Sequence, residues 1–234
     1  MKKPFPAEIF YIFGIVFVAF SVSFMEKGGY GLSTVVGPAY VLYRKLTLTW
    51  PIVSFGMMEY TFQGFLLIIM CLVIRRFRVS YLFSFVTAVV YGLTLNAVLA
   101  LTAPIQPASL IGRIACYAFG LLIGSVGIAC ILHTYFAPEV YELIIKEIPR
   151  RFHLSLGKFK TGFDITFFIT TILLSFLFFG FGKFVGVGIG TVVCALINGT
   201  LIASVSNWID RHFKVIDWLP IRRYFEDTEP DSAN

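Results

Sequence analysis

The fold class this sequence predicts is all-α: a polytopic transmembrane helix bundle of six spans. It is expected as an inverted three-plus-three repeat, with a short interfacial or re-entrant helix in each half. Three observations predict it. The 234 residues are 58% hydrophobic and only 14% charged, with mean hydropathy +0.84, whereas soluble domains run nearer about 45–50% apolar and about 25% charged. Six apolar runs are long enough to cross a hydrocarbon layer of about 30 Å as helices. The two halves also repeat one plan of polar and proline-bearing landmarks.

The elements follow in order. Met1-Lys2-Lys3 ahead of an apolar run resembles the start of a signal peptide, but no small-x-small cleavage site closes the run. It is read as a retained first span, residues 7–25. Residues 32–46, LSTVVGPAYVLYRKL, are apolar but too short to span, with Pro38 inside and Arg44-Lys45 at the end. They fit an interfacial or re-entrant half-helix. The second span is residues 54–74, closed by Arg75, Arg76 and Arg78. The third is 81–102, with Gly92 and Asn96, and the fourth is 110–135. Residues 136–152, FAPEVYELIIKEIPRRF, place Val140, Leu143, Ile144 and Ile148 at helical spacing with Glu139, Glu142, Lys146 and Glu147 between them. That pattern predicts an amphipathic helix on the membrane surface. The fifth and sixth spans are 162–182 and 184–209. Residues 1–223 thus form one transmembrane domain, and the polar tail 224–234 is expected to be disordered.

The repeat rests on spacing. Each half reads as a long helix, a short proline-bearing helix, a basic pair, a helix with an acid near its start, and a helix with glycine and asparagine. The interval from Arg44 to Glu59 nearly equals that from Arg150 to Asp164, and the interval from Glu59 to Asn96 nearly equals that from Asp164 to Asn198. The units cover about 7–102 and 110–209. Three spans per unit is an odd number, so the units have opposite orientation, as in many secondary transporters. Fourteen of the 19 Lys and Arg then fall on the side of the N-terminus and five on the other, which puts both termini in the cytoplasm.

An acid at membrane depth costs at least roughly 2.5–3.5 kcal/mol and marks a candidate site. Glu59 and Gln63 share one face of the second span, and Asp164 lies at the matching place in the fifth. With Asn96 and Asn198 they form the candidate substrate-binding set. Each acid is equally read as a cap that complements its helix dipole, and the asparagines as bonds between neighbouring helices. Gly182, Gly186 and Gly190, four apart, are expected to let helices pack closely. Arg113 either snorkels to headgroups or pairs with Glu59. Cys71, Cys116, Cys130 and Cys194 read as small buried hydrophobes. His133, His153 and His212 join no cluster at metal-ligand spacing. No metal, cofactor, nucleic acid or catalytic residue is expected, and no enzyme motif is present. Asn198-Gly199-Thr200 matches a glycosylation pattern, but mid-membrane.

The stretches GLSTVVGPAYVLYRKL, SFGMMEY with Gln63, YLFSFVTAVVYG and FVGVGIGTVVCALINGTLIA resemble the YczE-like and YitT-like bacterial membrane proteins, across about residues 31–203. The resemblance implies a bacterial inner-membrane protein of five or six helices, sometimes regarded as a transporter or permease. It assigns no substrate and no functional residue. Where members of that family carry an acid late in the third helix, this chain has Asn96.

The first functional expectation is a small-molecule transporter or permease, working by alternating access between inverted halves. Its partners would be the lipid bilayer and an unidentified small molecule, and a homo-oligomer is compatible with it. The alternative is a non-transporting regulator, sensor or assembly factor that binds a partner protein or anionic lipid through its cytoplasmic half-helix and basic tail.

Overall fold

The computed structural model describes residues 3–218; the expected tail 224–234 lies outside them. Among the described residues there are eight helices and two short strands: β1 (Lys3–Pro6), α1 (Ala7–Gly28), α2 (Gly37–Leu46), α3 (Phe55–Ile74), α4 (Ser80–Thr102), α5 (Leu110–Leu132), α6 (Val140–Phe152), α7 (Leu156–Phe179), α8 (Ile189–His212) and β2 (Phe213–Ile216). Six of them, α1, α3, α4, α5, α7 and α8, are long and apolar enough to cross a membrane. The chain is therefore read as a multi-pass membrane protein.

Local chemistry sets several ends. Ser54 caps α3 by accepting from Met57 N–H at 3.2 Å, and Ser109 caps α5 by accepting from Gly112 N–H at 3.0 Å. Gly29 closes α1 in the left-handed conformation, its N–H donating to the carbonyls of Met25 and Glu26. The expected fifth span begins earlier than residue 162, because Lys158 and Lys160 sit on an exposed helical turn that reaches past the apolar run.

The centre of the bundle is the α1–α5 pair. A Cβ on Gly14 would stand 3.0 Å from the Gly127 carbonyl oxygen, and one on Gly127 2.9 Å from that of Gly14. Glycine here lets two backbones touch, a common device for helix association in lipid. Around this seam Ile15, Ala19, Val22, Tyr91, Leu95 and Leu121 form the main core. α4 packs on α1 and α3, and α8 packs on α5.

α2 and α6 have 10 and 13 residues. A span takes roughly 20 residues, so both are too short to cross. α2 packs between α3 and α7, and α6 packs on α3, α4 and α7. The expected surface helix at 136–152 is thus corrected. α6 buries Val140, Tyr141, Leu143 and Ile144, and its apolar face packs among Leu67, Met70, Ile74 and Tyr81, because that face finds protein rather than lipid headgroups. β1 and β2 pair in parallel, Lys3 opposite Phe213. This joins the two ends of the described chain at one end of the bundle, as an even number of spans requires. Tyr135 hydroxyl to Glu8 at 2.7 Å and His133 to Asp210 at 3.2 Å hold the same end.

Candidate functional site

Gln63 lies a little over two turns into α3. Its side chain receives the start of α6: Gln63 Oε1 accepts from Val140 N–H at 3.1 Å, and Gln63 Nε2 donates to Glu139 Oε2 at 2.8 Å. One turn earlier, Glu59 Oε2 accepts from the Tyr141 hydroxyl at 3.1 Å. Glu59 and Gln63 are both fully buried. The Oε1 atom of Glu59 and the hydroxyl of Tyr91 are buried with no hydrogen-bond partner among the described residues. A buried polar atom with no partner costs about 1–3 kcal/mol, so neither group stabilises the fold through a hydrogen bond there. Glu139 belongs to the connection ahead of α6, outside the six long helices. Burial, with Glu142 and Glu59 nearby, raises its carboxyl well above the usual range, against the lowering effect of the Gln63 hydrogen bond.

The start of α2 lies against α7. A Cβ on Gly37 would meet Thr171 Oγ1 at 2.6 Å, and Thr34 Oγ1 donates to Asp164 Oδ1 at 3.3 Å. A cavity of about 80 Å³ borders both helix starts. Ser33 and Val36 line it from the approach to α2. Glu139, Tyr141 and Glu142 line it from the start of α6, with Tyr91 of α4. Its other walls come from α1, α5 and α8, mostly apolar, with Asn198 and Cys194 on the α8 side.

The five sequence-predicted site residues separate. Glu59 and Gln63 meet, joined by Glu139 and Tyr141. Asn198 borders the cavity and accepts from Ser125 at 3.0 Å. Asp164, half-buried, faces Thr34 and lies outside the cavity lining. Asn96 is taken up elsewhere: its Nδ2 donates to Ser54 Oγ and its Oδ1 accepts from Gly56 N–H, both at 2.8 Å, so it clamps α4 to the start of α3. Arg113 does not pair with Glu59. It donates to the Gly28 carbonyl at 3.0 Å and lies over the Tyr30 ring at 5.3 Å. Gly182 and Gly186 are not in a helix: they turn the α7–α8 connection with φ of 84° and 76°. Gly190 alone of the three lies within a helix, against Tyr30 and Tyr117.

Sequence reasoning missed Glu139, Tyr141 and Tyr91 as members of the site. Glu139 was one polar position of an amphipathic pattern. The available signal was its place directly after Pro138, at the start of a helix too short to span, where a broken segment puts its N-terminus at depth. The tyrosines carried no signal, since each is one aromatic among many.

The family described as "Family of unknown function (DUF6198)" matches residues 5–207, and the chain belongs to it. Among curated proteins, the "Uncharacterized protein YyaS" of Bacillus subtilis (strain 168) is 26% identical over 209 residues, which cover 88% of this chain and 94% of the relative. No solved structure matches.

Proposed function

We propose that this protein moves a small molecule across a bacterial inner membrane by alternating access between two inverted halves, with both termini in the cytoplasm. One observation carries the reading: two helices too short to span begin at one shared, polar-bearing cavity inside the bundle. Half-helices that start at depth are how membrane transporters present helix N-termini and polar groups to a solute. The reciprocal packing supports the inverted repeat. The short helix of each half lies on the long helix that follows it and on the equivalent helix of the other half, α2 on α3 and α7, α6 on α7 and α3. Kinship with the YczE-like and YitT-like proteins belongs to the same proposal and rests on the sequence motifs. The alternative of a lipid- or protein-binding regulator draws on exposed Arg75 and Arg76; it gives no role to the cavity.

Purified protein in liposomes, offered a mixture of small metabolites, tests transport by mass spectrometry of the lumen. The reading expects solutes absent from protein-free liposomes, and at least about tenfold less of them with Glu59→Gln, a loss of roughly 1.4 kcal/mol of stabilisation. Contents equal to those of protein-free liposomes defeat it. Unchanged uptake by both Glu59→Gln and Asp164→Asn would leave transport standing and remove the acids from it.

A further inference from the structure

We infer that the cavity between the starts of α2 and α6 is a binding site for a small organic cation, a protonated amine with a short apolar body. This rests on the transport reading above for its purpose, but not for its chemistry. The polar wall of the cavity offers acceptors: Glu139, Glu142, the Tyr91 hydroxyl and Asn198. No described residue that lines it is basic. Lys160 of α7 acts on Glu142 and Asp164 from outside the lining. Tyr91 supplies an observation independent of the acids. It is 1% exposed, lines the cavity, and its hydroxyl has no partner among the described residues, so a ligand hydrogen bond is what would satisfy it.

The helix dipoles argue for an anion at first sight. Both helix starts, however, already have an acid of the protein near them. Glu139 stands at the start of α6, and Asp164 holds Thr34 ahead of α2. In the cavity an added anion would meet Glu139 and Glu142, whereas an added cation would let a buried acid give up its proton beside it. The opposite wall decides between an organic and an inorganic cation. Val18, Val22, Leu121, Ile128 and Ile131 offer no oxygen ligands, whereas a hard metal cation seeks about six or more. They fit an alkyl group, and Tyr91 and Tyr141 put two aromatic residues in the same lining, a residue type that attracts an ammonium. A volume of about 80 Å³ holds roughly five water-sized groups, the size of a four- or five-atom amine.

Calorimetry on the protein in nanodiscs tests this with n-butylammonium, n-butanol, butyrate and rubidium, all as simple solutes. The expected result is saturable binding of n-butylammonium at least about tenfold tighter than that of the other three, a gap of roughly 1.4 kcal/mol. Tyr91→Phe removes only an unpartnered hydroxyl, so the protein stays folded and binds the amine about fivefold more weakly. Glu139→Gln should erase the preference for amine over alcohol. Equal binding of butanol, preference for butyrate, equal binding of rubidium, or no binding by a monodisperse protein each overturns the inference. Amine binding without uptake into liposomes leaves this site standing and defeats transport. Uptake of other solutes without amine binding does the reverse.

Discussion

The α3–α4 pair and the α7–α8 pair are each two long apolar helices consecutive in the chain, and they are built differently. α3 and α4 touch backbone to backbone. A Cβ on Gly56 would overlap the Gly92 carbonyl, and Asn96 bridges to Ser54 and Gly56. α7 and α8 make no substantial contact. Only 17% of the apolar stretch of each is buried, against 28% in α3 and 39% in α4. The difference teaches what holds helices together where the solvent is lipid. Apolar side chains gain little by leaving lipid for a neighbour, so small residues and polar bonds decide which helices join. In α7 and α8 those groups point elsewhere. Gly162 and Gly199 have open space beside them, and Asn198 bonds to Ser125 on α5. The parted pair adjoins the cavity through Cys194 and Asn198 of α8.

The largest effect expected from this contrast is at Gly56. Gly56→Leu drives a side chain into the Gly92 backbone and should cost about 3 kcal/mol or more, read as a lower apparent melting temperature or loss of monodisperse protein. Gly199→Leu, with nothing within 4 Å, should melt like the parent. Equal behaviour of the two variants would break the comparison. Next, Asn96→Leu removes two hydrogen bonds and leaves Gly56 N–H without its acceptor, for about 1–2 kcal/mol. The same melting experiment reads it.

A third test uses pH. The folded protein holds a proton on Glu139 to higher pH than the unfolded chain does, since burial raises the folded value. The stability this proton carries is full below about pH 4.5 and is lost as pH rises through the folded value. The parent should therefore melt at progressively lower temperature as pH rises above about 5, and Glu139→Gln should show a flatter slope. A parallel slope in the variant would remove Glu139 as its source. The smallest effect belongs to Asn198→Leu, about 0.6 kcal/mol, typical of one bond between membrane helices. A loss as large as that of Asn96→Leu would mean that α8 depends on its asparagine as much as α4 does.

The sequence by itself determined the six spans, their order and the two short segments. Four of the six long helices begin within one residue of the expected position. The reason is local: each residue of a span must satisfy its own backbone within the helix and show lipid an apolar side chain, and both requirements are written along the chain. Glu59 and Gln63 were legible for the same reason, as costly groups in an apolar run. Only the tertiary structure decided that Gln63 meets Glu139 and Val140, 76 and 77 residues away. It likewise decided that α6 lays its apolar face on α3 and α4, that Asn96 clamps a helix start, and that Gly14 and Gly127 rather than Gly182 and Gly186 bring helices together. Those outcomes depend on which face of one helix reaches which face of another, and a polar residue reads the same in sequence whether it meets a ligand, a cap or a neighbour.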